Sequence, residues 1–223
     1  MSTRLKVLSL AITAALAVAG IGVINAAASM GGHFTHDASS PHATIIGTET
    51  LPNHKLEFVS GSSEITCDEA SYHGVATAQT TESLTITPKW NKCYTTASPE
   101  TKFDVHENGC TLTFTIGREP ESHHTVDVNC PGSGFTITHP NCSIRVPGQT
   151  VRGVVYDTVV ENGKHAITLT STVENITTHY EGGICIFLGT NHSATMKGSV
   201  TVHGTDTLGN PVNVTATTGP PLG

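Results

Sequence analysis

The chain carries thirteen histidines beside eighteen carboxylates and eleven lysines and arginines. Four of these groups fall close together: His33, His36, Asp37 and His42. Two or three imidazoles with one carboxylate suit Zn²⁺, Cu²⁺ or Ni²⁺. The surrounding residues are small and polar, so the expected metal site is weak and sits in a flexible segment. The remaining histidines are scattered. His123 and His124 are neighbours; on a strand they point to opposite faces and cannot chelate together. Both are expected to face solvent. Histidine ordinarily titrates near pH 6.5, so acidification moves the net charge of such a chain toward zero.

Carboxylates could also act in pairs, as in glycoside hydrolysis. Asp68 and Glu69 are adjacent and diverge on a strand, while Glu100, Asp104 and Glu107 are spread along one loop and strand. Ser133 stands between glycines but lacks the spacing and the following helix of a nucleophile elbow. His106-Glu107 begins a zinc-protease motif that Asn108-Gly109-Cys110 ends. No phosphate-binding or dinucleotide-binding glycine pattern occurs. No catalytic residue is assigned, and no cofactor is expected. Trp90, Tyr72, Tyr94, Tyr156 and Tyr180 could line a carbohydrate or peptide surface; Trp90, three residues from Cys93, is expected to pack on a disulfide instead.

The elements that must carry these side chains are strands. Leu-Thr-Ile-Thr at 84–87, Thr-Leu-Thr-Phe-Thr-Ile at 111–116, Phe-Thr-Ile-Thr at 135–138 and Ile-Thr-Leu-Thr at 167–170 all alternate. A period of two places one face in a core and one in water. Threonine is about one residue in six, and its β-branched side chain suits a strand's wet face. Gly, Pro, Asn and Ser turns separate many short runs, which predicts an all-β fold: an antiparallel β-sandwich over residues 43–217. Two small lobes with a boundary near 138–141 are the alternative arrangement. Residues 29–42 read as a flexible lead and 218–223 as a flexible tail.

Residues 1–28 have the three parts of a signal peptide. Arg4 and Lys6 open it, an uncharged apolar stretch runs from Val7 to Ile24, and Ala26-Ala27-Ala28 precedes Ser29. Cleavage would leave the mature chain two charges more acidic than the formal −7 of the whole. No later segment is apolar enough to span a bilayer, so a secreted, extracellular protein is expected. The six cysteines agree: Cys67, Cys93, Cys110, Cys130, Cys142 and Cys185 all follow the signal, and an even count in an exported chain reads as disulfides. Six cysteines allow fifteen pairings. A hairpin folded near Pro120 would set Cys110 opposite Cys130. Cys67–Cys93 and Cys142–Cys185 would follow by sequential pairing.

The signal peptide, the Ala43-Thr-Ile-Ile-Gly-Thr48 strand, and the spaced cysteines in Asn108-Gly-Cys110-Thr-Leu-Thr-Phe114 and Val128-Asn-Cys130-Pro131 together resemble a group of uncharacterised secreted proteins of soil actinobacteria. These are Thr-rich, six-cysteine β proteins. The resemblance covers most of the mature chain. It implies export and β structure and carries no activity.

Charged residues make up 13% of the chain, about half the usual 25%. The acidic balance argues against nucleic acid as a partner. The expected function is therefore a secreted, non-enzymatic β-rich protein that acts at or beyond the cell surface by binding or as structure. Its partner would be a cell-surface glycan or protein. The alternatives are a secreted hydrolase of polysaccharide or protein using a carboxylate pair, and a His-dependent metal- or pH-responsive envelope protein.

Overall fold

A computed structural model describes residues 31–49, 56–117 and 124–219. The expected signal peptide, the expected turn near Pro120, His123 and residues 220–223 of the expected tail lie outside the described residues. The first strands are β1 (His33–His36), β2 (Ala43–Glu49), β3 (Leu56–Ser60), β4 (Ser63–Ala76), β5 (Thr80–Thr81) and β6 (Ser83–Thr95). Next come β7 (Ser98–His106), β8 (Thr111–Thr115), β9 (Thr125–Asn129), β10 (Phe135–His139), β11 (Cys142–Val146) and β12 (Gln149–Arg152). The chain continues with β13 (Val154–Glu161), β14 (Lys164–Glu181), a 3₁₀ helix (Gly183–Leu188), β15 (Thr190–Thr205), β16 (Pro211–Val212) and β17 (Val214–Thr217). Among the described residues no helix is long and apolar enough to cross a membrane.

The fold is all-β, antiparallel and sandwich-like, as the period-two alternation predicts. In β6, Leu84, Ile86, Pro88 and Trp90 point inward while Ser83, Thr85, Thr87 and Lys89 are exposed. The alternation then slips. Lys92 takes a φ of 52°, and Trp90 and Cys93, three residues apart, both reach the core. Asn175 does the same in β14 with a φ of 60°, so that Val173 and Ile176 are both buried. Asn tolerates this left-handed backbone better than most residues.

The pairings return on themselves. β4 pairs with β6, β6 with β7, β7 with β10, β10 with β11, and β11 with β14. β14 then pairs with β15, β15 with β3, and β3 with β4. Joining the sandwich faces in this way pairs strands that would otherwise be open edges. At the opposite end β2, β8, β9, β12 and β13 continue the wall.

Two expectations of organisation are corrected. The Thr138–Asn141 segment is no lobe boundary: it holds the tight turn of the β10–β11 hairpin, with His139 opposite Cys142. The long strands β4, β6, β14 and β15 run the length of the body, and a single apolar core draws on strands from both halves. The described part of the 29–42 lead is also ordered. β1 pairs with β17 and β5, and Phe34 is buried edge-on against Tyr156 at 5.5 Å. The lead holds one large apolar side chain after Met30, and that side chain is its anchor.

Candidate functional site

The disulfides come from strand register. Cys67 and Cys93 are directly opposed across β4 and β6, with Cα atoms 4.0 Å apart. Thr111 opposes Asn129 in the β8–β9 hairpin, so Cys110 and Cys130 meet at its open end, 4.2 Å apart. Cys142, at the start of β11, is bonded to Cys185 in the 3₁₀ helix across 5.3 Å. All six cysteines are bridged in the pairing expected from the sequence.

The structure does not assemble the histidine cluster. On β1, Phe34 and His36 point inward, His33 and Thr35 outward. His36 is buried, with Nε2 3.2 Å from the Pro41 carbonyl, and His42 is exposed. Asp37 accepts hydrogen bonds from the backbone and side-chain amides of Asn213. Burial pushes the Asp37 carboxyl up, but the Asn213 bonds outweigh it and hold the group below the usual carboxylate range. Among the described residues no group of three His, Cys, Asp or Glu is placed to hold a metal.

The carboxylates do not converge either. Asp68 accepts from the Tyr94 hydroxyl at 3.2 Å, and Glu69 pairs with Lys92. Glu100 and Asp104 share the wet face of β7, about 13 Å apart at strand spacing, outside the separations of glycosidase pairs. Glu107 accepts from the Trp90 backbone amide.

Several aromatic side chains offered as a surface are core residues. Trp90 packs edge-on against Phe135 at 4.9 Å and donates to the Tyr72 hydroxyl at 3.3 Å. Tyr156 and Tyr180 are buried as well. Burial raises the phenol pKa of Tyr72 and Tyr156. His124 also departs from expectation: it is 1% exposed, its ring tilted by 57° against Tyr156 at 5.0 Å, with Nδ1 3.1 Å from the Val154 carbonyl. Its neighbours in β13 cover the start of β9.

A different feature stands out. The β14–β15 hairpin ends in the helix Gly183–Leu188, where Ile186, Phe187 and Leu188 are 59%, 91% and 59% exposed. Six large apolar side chains are exposed among the described residues, and these three are consecutive. Cys185 beside them is 3% exposed and bonded to Cys142. Gly182, Gly183 and Gly189, all at positive φ, bracket the helix. Gly183 lies so close to the Asn141 carbonyl that any Cβ would collide with it. Tyr180 donates its backbone amide to the Gly189 carbonyl at 2.8 Å and closes the loop.

Beneath the tip a buried polar layer braces it. The Tyr180 hydroxyl donates to the Ser60 carbonyl at 2.6 Å. Ser60 Oγ lies 2.9 Å from Thr178 Oγ1 and accepts from Asn191 Nδ2 at 3.1 Å. Arg145 and Glu181 pair at its flank, Nε to Oε1 at 2.5 Å. The tip is thus an apolar protrusion on a cross-linked base. The run Gly-Gly-Ile-Cys-Ile-Phe-Leu-Gly at 182–189 carries its signal, but four large apolar residues around one cysteine read equally well as a buried strand.

Comparison with protein-family models, with characterised proteins and with solved structures finds no match to this chain.

Proposed function

We propose that this is a secreted, non-enzymatic binding protein that adsorbs to a lipid surface through the Ile186–Phe187–Leu188 tip. The observation that carries the reading is the 91% exposure of Phe187 on a disulfide-anchored base. Three disulfides fit an oxidising compartment.

The size of the tip favours lipid over protein. A Phe side chain offers roughly 150–250 Å², and three residues of this kind fall short of the ~800 Å² per partner of a stable protein interface. A bilayer needs no complementary pocket. Each large apolar side chain taken from water stabilises by about 1.5–3 kcal/mol. Three such groups match the reversible binding of a single acyl anchor, on the order of 10⁴ M⁻¹. Charge is not the driver, since the chain is acidic and Arg145 at the tip's flank is paired with Glu181.

The test is co-sedimentation of the mature protein with phosphatidylcholine vesicles, for the wild type and for Phe187→Ser. The wild type should sediment with vesicles and the variant should remain in solution. Equal sedimentation of both, or of neither, defeats the reading; a protein partner captured through Phe187 without vesicle binding would replace lipid as the target.

A further inference from the structure

The geometry points to a second binding site, inside the body and separate from the tip: a neutral amphiphile with an alkyl chain and a hydroxyl head occupies two adjoining cavities in the core. The larger cavity measures about 80 Å³, where one water needs roughly 10–15 Å³. Its walls are apolar side chains throughout, among them Phe58, Trp90, Leu112, Val126, Phe135 and Met196. Protein interiors are close-packed, with few voids above the size of a water. A space this large and this apolar does not attract water, which needs polar partners. It suits a hydrocarbon chain, and Met196 supplies an adaptable wall.

The smaller cavity, about 40 Å³, shares Trp90, Leu112, Val126 and Met196 with the larger one. Its remaining lining is largely apolar, with Ile86, Phe114 and Leu169, but adds four polar side chains that the larger cavity lacks: Glu49, Tyr72, Ser171 and Ser199. The pair is therefore graded from apolar to partly polar, as an amphiphile is. Among the described residues Glu49 is the only carboxyl group lining either cavity. Its Oε1 already accepts the Leu56 amide at 3.1 Å. A carboxylate in the wall welcomes a hydroxyl donor and repels a second carboxylate, so the site selects an alkanol over the matching fatty acid.

Trp90 is the only tryptophan in the chain and lies in the wall of both cavities, so its emission reports occupancy. The experiment titrates the mature protein with octan-1-ol and with octanoate at neutral pH, with circular dichroism as the folding control. Octan-1-ol should change Trp90 emission saturably, and octanoate should bind about tenfold more weakly or worse, because its charge would be buried beside another. Glu49→Gln should narrow that gap, since it removes the repulsion but not the cost of burying octanoate's own charge. Val126→Phe should fill the shared space and abolish the octan-1-ol response, while Phe187→Ser at the tip should leave it intact. Should Val126→Phe not fold, melting of the wild type decides: octan-1-ol raises the melting temperature and octanoate does not. A folded wild type with no saturable response, equal affinity for both probes, or a response lost with Phe187→Ser overturns the site.

Discussion

Cys185 and Phe187 are two residues apart on one short helix, yet Cys185 is buried in a disulfide to Cys142 while Phe187 is 91% exposed. The covalent bond fixes the base from which the ring projects. Without it, the tip would be an eight-residue loop free to fold its apolar side chains back onto the end of the sandwich.

Replacing both Cys142 and Cys185 by Ser should therefore weaken vesicle binding while the body stays folded. Cys67–Cys93 and Cys110–Cys130 lie on other strand pairs and remain. The expected stability loss is about 2–4 kcal/mol. Denaturant unfolding measures the loss, and co-sedimentation measures the binding.

Two tip glycines should separate in their tolerance. Gly183 and Gly189 both have positive φ, but only Gly183 faces the Asn141 carbonyl; Gly189 has open space around it. Gly183→Ala should cost about 1–3 kcal/mol more than Gly189→Ala, because steric overlap adds to backbone strain. Thermal unfolding of the two variants tests the order. Equal losses would mean the Asn141 contact does not constrain the loop.

Alkaline pH should unfold the protein through its buried phenols. Burial, chiefly, raises the pKa of Tyr72 and Tyr156 in the fold, with Glu49 adding to the effect at Tyr72. A folded pKa above the unfolded value contributes stability that is fully present below about pH 10 and is lost as the pH climbs beyond it. Phenolate absorbance should show these two groups ionising only together with loss of the far-ultraviolet signal. Tyr72→Phe and Tyr156→Phe should each flatten the alkaline fall in stability.

Much of this architecture was legible in the sequence. Thr–apolar alternation at 84–87 and 111–116 announces strands because a sheet face repeats every second residue. Cys110 and Cys130 were pairable because the residues between them form a local hairpin. β1 was not legible: its partner β17 lies about 180 positions away, and a Gly- and Ser-rich lead with one Phe gives no local sign of pairing. His124 misled because polarity predicts exposure, whereas the fold offers its Nδ1 the Val154 carbonyl. The tip was readable as an apolar run between glycines. Its exposure is decided by where the β14–β15 hairpin ends, a property of the whole sheet. The internal cavities arise from many strands jointly and leave no mark on any one segment.

High salt should leave vesicle binding nearly unchanged. Electrostatic attraction between exposed charges is screened within about 3 Å at 1 M salt, while apolar burial is not weakened by it. Sedimentation at low salt and near 1 M separates the two. Release by salt would point to a charged contact elsewhere on the surface.

The most direct measurement places a reporter at the tip itself. Phe187→Trp in a Trp90→Phe background leaves one indole, at position 187. On phosphatidylcholine vesicles its emission should shift to the blue, and bromine-labelled acyl chains should quench it. An emission maximum that stays at its aqueous value, with no quenching by the brominated lipid, would contradict insertion of the tip.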